Sequence, residues 1–173
     1  MDPSSTFLYF AYGSNMSSKR LCADNRAPSA IAVEPGYLVG HRLVFDKIGK
    51  DGSAKADCHY TGDTADIVEG GLFRIAEDDA HALDKAEGAT DARPGYRRIE
   101  VAVSTGWGVV TARTYVAIEK SAVLLPYTWY LNHVLVGAKE FALSATYIAR
   151  IEQQEAISDP DSTRAAREIA IYA

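Results

Sequence analysis

The chain has 173 residues, 47% of them hydrophobic and 24% charged, a size and balance that suit one domain, residues 1–173, with a core of its own. A formal charge of -5 provides no clustered basic face for nucleic acid. The longest apolar runs, residues 7–12 and 122–126, are too short to cross a membrane.

In chain order, the aromatic-rich run 7–12 ends at Gly13 and predicts a buried strand followed by a turn. Ser17 is placed to cap a short helix that runs to Cys22. Residues 36–46 read as strands punctuated by Gly40. Residues 47–66, rich in Gly, Asp, Lys and Thr, read mostly as loop, with a short strand near 56–60. Residues 67–75 form a strand whose Gly70-Gly71 pair signals a bulge or a close backbone approach. Residues 77–87 predict a helix that Gly88 ends.

Segments 96–104 and 107–118 alternate in polarity around Thr105-Gly106 and predict a hairpin. Pro126 opens a helix with Tyr127, Tyr130, Leu131, Val134 and Leu135 on one face, and Gly137 is expected to end it. Ser144 caps a further helix with Tyr147, Ile148 and Ile151 on one side, and Asp159-Pro160-Asp161 breaks the chain before a last amphipathic segment. Strands, one helix, a hairpin and then helices predict an α+β fold with a mainly antiparallel sheet or barrel.

The two cysteines, Cys22 and Cys58, lie in no CxxC pattern, and a reduced, structural role is expected of both. The four histidines show no ligand spacing, so neither a metal nor another cofactor is expected. The start Met1-Asp2-Pro3-Ser4-Ser5 has no basic n-region followed by an apolar stretch, which predicts a cytoplasmic protein.

Two features point to chemistry. Tyr12-Gly13-Ser14-Asn15 follows a buried strand, where a turn leaves backbone N–H groups free to converge on an anion; the same residues also make ordinary turns. On the predicted helix, Ala80, Leu83 and Glu87 share a stripe, so Glu87 is either a partly desolvated carboxylate suited to proton transfer or a helix-end residue turned to solvent. Asp84 lies one turn earlier, either buried with Glu87 or facing water.

The run Phe7-Leu8-Tyr9-Phe10-Ala11-Tyr12-Gly13-Ser14-Asn15 resembles the signature strand and loop of γ-glutamylcyclotransferases. Leu83-Asp84-Lys85-Ala86-Glu87-Gly88 resembles the segment that carries the family's catalytic glutamate. The stretch from Gly95-Tyr96-Arg97-Arg98 to Val101, and Tyr130 with Gly137-Ala138-Lys139-Glu140, resemble its later strand, helix and turn, in the same order.

The resemblance implies a small mixed, mainly antiparallel β-barrel with peripheral helices, and cleavage of a γ-glutamyl amide to 5-oxoproline and a free amine. It implies Glu87 as general acid/base. Tyr9, Phe10, Ala11, Tyr12, Gly13 and Ser14 would line the glutamyl pocket, and Tyr96 and Tyr130 would border it. The partner is then a small γ-glutamyl compound, with no nucleic acid and no membrane; the leaving amine and the oligomeric state, a homodimer included, stay open. Relatives specific for glutathione usually have Leu where this chain has Asn15.

Three stretches depart from the family pattern: Glu69 stands where an aromatic is common, Phe141-Ala142-Leu143-Ser144 replaces a Gly-Leu-Pro stretch, and Asp57-Cys58-His59-Tyr60 is unusual. These were positions from which the leaving-group side could be shaped. Two other readings compete: an amidohydrolase using Ser14 or Cys22 as nucleophile, and a non-catalytic binding domain on the same scaffold.

Overall fold

The computed structural model describes residues 5–173; residues 1–4, which carry most of the expectation about a leader, lie outside the described residues. Among the described residues seven strands form: β1 (Thr6–Ala11), β2 (Ile31–Val39), β3 (His41–Ile48), β4 (Ala54–Tyr60), β5 (Ile67–Ala76), β6 (Tyr96–Thr105) and β7 (Gly108–Ala117). Five of them close a barrel in the order β1-β5-β2-β6-β7. Its pairs are antiparallel except β1 with β7, which run parallel and close the ring. The α+β barrel expected from the sequence is the fold observed.

Closure leaves little room inside. Phe10 and Leu72 are directly paired across β1 and β5, and both are fully buried with Val103. A Cβ on Gly36 would lie 2.6 Å from Val103, and one on Gly70 would lie 2.5 Å from the Ala11 carbonyl oxygen. Glycine is therefore required where the strands and large side chains crowd the barrel interior. Gly71 performs the same service outside: a Cβ there would sit 2.2 Å from the ring of Phe141. The close approach predicted for the glycine pair is what the structure contains.

The short strand expected near 56–60 falls within β4, but the rest of residues 47–66 is more regular than the loop expected there. The end of β3 and all of β4 lie there and pair as a two-stranded ribbon, Lys47 opposite Lys55 and Ile48 opposite Ala54, around a turn in which Gly52 has φ +82°. Polar residues suit a ribbon with one side in solvent, which is why composition alone suggested loop.

Helices α1 (Ser18–Leu21), α2 (Ala80–Ala86), α3 (Thr128–Glu140), α4 (Ala145–Glu152) and α5 (Ser162–Ala170) surround the barrel. Ser144 caps α4 as expected, its hydroxyl accepting from the Tyr147 N–H. Ser17 precedes a single helical turn but makes no side-chain cap; its hydroxyl accepts instead from Tyr172 at 3.0 Å. Gly137 does not end α3, which runs on to Glu140. A Cβ at Gly137 would lie 2.4 Å from the Met16 backbone carbon, so this glycine lets α3 press on the loop after β1. No helix among the described residues is long and apolar enough to cross a membrane.

α3 ends in a motif that normally takes glycine. The Ala142 N–H reaches the Lys139 carbonyl and the Leu143 N–H that of Ala138, with Ala142 at φ 49°. The left-handed conformation costs an alanine about 1 kcal/mol; glycine removes that cost but loses part of the gain to the greater entropy of its unfolded chain. Ala142→Gly is expected to stabilise the fold by about 0.5 kcal/mol, measurable as a raised urea midpoint at constant slope.

α5 docks through a buried histidine on α3. His133 is fully buried between Trp129 and Tyr172; its Nδ1 lies 2.7 Å from the Tyr172 hydroxyl, and its Nε2 lies 3.1 Å from Glu168 and 3.3 Å from Arg20. Burial, the largest influence, lowers the His133 pKa below its usual value. The folded state therefore binds the proton less well than the unfolded chain, whose histidine titrates near 6.5. This contribution is complete above that value and is lost as pH falls through it towards the folded pKa. The melting temperature of wild type is expected to fall more steeply than that of His133→Gln as pH drops below about 6.5. Parallel curves would exclude this role for His133.

Candidate active site

The end of α2 positions the central carboxylate. Gly88, at φ +69°, donates to the Lys85 carbonyl, and Ala89 donates to that of Asp84. This paired closure stops the helix and holds Glu87 as its last half-helical residue. The Glu87 side chain is 16% exposed. Its Oε1 accepts from Asn15 Nδ2 at 2.8 Å and from Arg26 Nη1 at 3.2 Å. Asn15 Nδ2 also donates to the Tyr9 hydroxyl, and Arg26 to Asn15 Oδ1, both at 3.2 Å.

Glu87 is thus turned inward, as one reading of its stripe expected, but it is not alone there. Asp84 has partners of its own, accepting from the Tyr115 hydroxyl and from Arg98, each at 2.7 Å. The repulsive carboxylate pair considered from the sequence is replaced by two separately compensated acids.

Glu87 borders a small inner chamber whose other walls come from distant elements. Tyr9 lies on β1 and the turn from Tyr12 to Asn15 follows it, Tyr96 opens β6, Tyr115 lies on β7 and Tyr130 on α3. Ala56 of β4 fixes two of the phenols: its N–H donates to the Tyr130 hydroxyl at 2.9 Å, and its carbonyl accepts from the Tyr96 hydroxyl at 2.5 Å. Tyr12 donates to the Tyr115 carbonyl at 2.6 Å. Burial is the main cause that raises the pKa of Tyr9, Tyr12, Tyr96, Tyr115 and Tyr130. These phenols therefore stay neutral near pH 7, and Glu87 is the one carboxylate on the chamber wall among the described residues.

The turn is built as its residue types suggested. The Gly13 carbonyl accepts from Met16, whereas the N–H groups of Gly13 and Ser14 donate to no acceptor among the described residues. A Cβ on Gly13 would sit 3.1 Å from Ala56 Cβ and 3.4 Å from the Tyr130 hydroxyl, so glycine brings this backbone against the chamber wall.

The structure brings together Tyr9, Tyr12, Gly13, Ser14, Glu87, Tyr96 and Tyr130. Phe10 and Ala11 are buried in the strand but do not line the chamber: Phe10 points into the barrel, against Gly70. Sequence reasoning missed the side-chain role of Asn15, and it missed Arg26 and Tyr115 altogether. Asn15 adjoined a recognised motif and was read as a turn residue. Arg26, in a short irregular loop, carried no spacing signal.

Beyond the chamber, and sharing Ser14, Glu87, Tyr96 and Tyr130 with it, lies a wider cleft of about 250 Å³. Its outer wall includes Trp129, Lys47, Lys55 and Arg164. The departures from the family pattern lie elsewhere. Glu69 and Ser144 bond to each other, the carboxylate accepting from the Ser144 N–H at 2.8 Å and from its hydroxyl at 2.5 Å. Asp57 is buried, accepting from the Ala117 N–H and from Lys120. None of the three lines the chamber or the cleft.

Comparison with known proteins places this architecture. The AIG2-like family matches residues 67–151. A solved structure of an uncharacterised protein from Homo sapiens superposes with a TM-score of 0.81 at 27% identity, covering 97% of this chain and 99% of that one. A solved γ-glutamyl cyclotransferase superposes with a TM-score of 0.79 at 26% identity, covering 94% and 99%. The γ-glutamylcyclotransferase of Bos taurus is 32% identical over 158 residues, 87% of this chain and 79% of that protein. The likeness spans the barrel and the segments that bring Glu87 to the Tyr-Gly-Ser-Asn turn, and on it the chain belongs to the γ-glutamylcyclotransferase family.

Proposed function

We propose that the protein cleaves γ-glutamyl amides by cyclisation, releasing 5-oxoproline and a free amine, with Glu87 as the general acid/base. The observation that carries this reading is a single inward-facing carboxylate on a chamber otherwise walled by neutral phenols and by a turn with free N–H groups.

In this reaction the substrate's α-nitrogen attacks its own γ-carbonyl carbon, and the new C–N bond closes a five-membered ring. Oε1 of Glu87 is occupied by Asn15 and Arg26, while Oε2 accepts from no group among the described residues and faces the proton that the attacking nitrogen sheds. The N–H groups of Gly13 and Ser14 receive the oxyanion of the tetrahedral intermediate. Glu87 then returns the proton to the departing nitrogen as the original C–N bond breaks. Both reacting groups belong to one molecule, so holding the glutamyl chain curled supplies much of the acceleration.

The amidohydrolase alternative has little support from the side chains. The Cys22 thiol donates to the Ala30 carbonyl at 3.4 Å, and burial raises its pKa, which disfavours the thiolate. No histidine among the described residues hydrogen-bonds to Ser14 or Cys22.

Glu87→Gln keeps an acceptor for Asn15 and Arg26 but cannot move a proton. It is expected to lower kcat by about 10²–10⁴-fold with an unchanged circular dichroism spectrum. A kcat close to wild type would remove Glu87 from the mechanism.

The cyclisation also demands a free α-amine, which no protein group replaces. A γ-glutamyl compound acetylated on its α-nitrogen is expected to yield neither 5-oxoproline nor released amine, each followed separately by chromatography. A nucleophilic serine or cysteine brings its own attacking atom, so efficient amine release from the acetylated compound would establish hydrolysis instead.

A further inference from the structure

A second pocket, of about 230 Å³, adjoins the catalytic cleft between α1, the loop that follows it and α5. Lys19 and Arg20 come from α1, Asn25 and Arg26 from the loop, and Arg167 and Glu168 from α5. Four cations therefore meet one carboxylate; Asp24, although it adjoins Asn25 in the chain, does not line the pocket. Glu87 offsets Arg26 from the chamber side. With both glutamates counted, two positive charges remain uncompensated, in a chain whose formal charge is -5.

The two arginines are well buried but only partly satisfied. Each side chain is 16% exposed. Arg20 donates through Nη1 to Glu168 at 2.7 Å, while its buried Nε has no acceptor among the described residues. Arg26 donates through Nη1 to Glu87 and to Asn15, each at 3.2 Å, and its Nε and Nη2 donate to no described residue. Burial, and after it the charge of Arg20, lowers the Arg26 pKa, so the two guanidinium groups repel each other with too few anions beside them. Lys19 and Arg167 are exposed; Arg167 reaches Glu168 only at 3.8 Å. Guanidinium forks present paired N–H donors to phosphate or carboxylate oxygens, and a lysine adds a point charge. A monovalent ion would leave part of both the charge and the donors unmet.

We propose that this pocket is a regulatory site for a small oxyanion carrying two or more negative charges, and that its occupancy slows turnover through Arg26. Phosphate groups and multiple carboxylates share the required chemistry. The coupling follows from shared walls, since Arg20, Arg26 and Glu168 line both this pocket and the cleft. An anion that draws the Arg26 guanidinium towards the pocket weakens its hold on Glu87 and on Asn15, the two groups that set the carboxylate against the turn. The effect on turnover rests on the cyclisation reading, whereas the binding does not.

Pyrophosphate and citrate are the probes, with potassium chloride at matched ionic strength as the control for screening. Isothermal titration calorimetry is expected to show one site for at least one of them, and the one that binds more tightly distinguishes phosphate from carboxylate. Lys19→Gln combined with Arg167→Gln removes two exposed charges that line the pocket and not the cleft. This double variant is expected to keep the wild-type kcat and KM for γ-glutamylalanine and to lose about tenfold or more in affinity for the anion. In wild type the bound anion is expected to lower kcat severalfold with KM unchanged, and the double variant to escape that inhibition at the same anion concentration. Absence of binding, binding or inhibition that survives in the double variant, a purely competitive pattern, or an equal effect of chloride overturns the site. Binding that leaves kcat unchanged overturns its regulatory role. If no 5-oxoproline forms even without anion, the cyclisation reading falls, and the calorimetric comparison of wild type with the double variant still decides the site.

Discussion

A carboxylate withdrawn from water has to be compensated, and the way Glu87 is compensated organises the site. Its Oε1 is shared by Asn15, from the turn after β1, and Arg26, from the loop that leads into β2. Glu87 itself closes α2, so one acceptor atom ties together three segments far apart in the chain. A second ring of contacts extends outward: Asn15 reaches Tyr9, and Arg26 returns to Asn15. Such a network is favourable only when its members are satisfied together, so the placement of the turn and the direction of the glutamate are coupled.

Packing supplies the precision that this polar cluster requires. α3 lies close enough to the Met16 backbone that only glycine fits at residue 137, and the same helix carries Tyr130 to the N–H of Ala56. Ala56 lies on β4 and also accepts from Tyr96 of β6, so one strand residue sets two phenols whose positions no local sequence rule relates. The resulting chamber is polar without being charged, apart from Glu87. In a low-dielectric setting, fixed hydroxyl and amide dipoles act strongly on any charge that enters.

The residues read from the sequence as departures from the family pattern lie away from this centre. Glu69 replaces a common aromatic, and Ser144 falls in the altered stretch after α3; in the fold they are partners, with Glu69 accepting from both the N–H and the hydroxyl of Ser144. Each is unusual alone, and together they satisfy each other at the start of α4.

Much of the architecture was legible from local pattern because short-range physics dictates it. Alternation and turn residues marked β1, β5 and the β6–β7 hairpin, Gly88 marked the end of α2, and Ser144 marked the start of α4. The Tyr-Gly-Ser-Asn turn and Glu87 were found as separate candidates for the same reason: each stands at a recognisable strand or helix end. The same logic erred where long-range contact prevailed. Gly137 looked like a helix terminator but serves close packing against Met16, and the polar segment 47–66, apart from the short strand expected near 56–60, looked like loop but contributes to a ribbon. What the sequence by itself determined was most of the elements and the strand and helix ends that the fold brings to one chamber. Only the tertiary structure decided that Asn15 and Arg26 would share Glu87, and that Phe10 would turn into the barrel while Tyr9 met the chamber. Those outcomes depend on strand register and on which segments meet across the fold, and neither is encoded in the spacing of neighbouring residues.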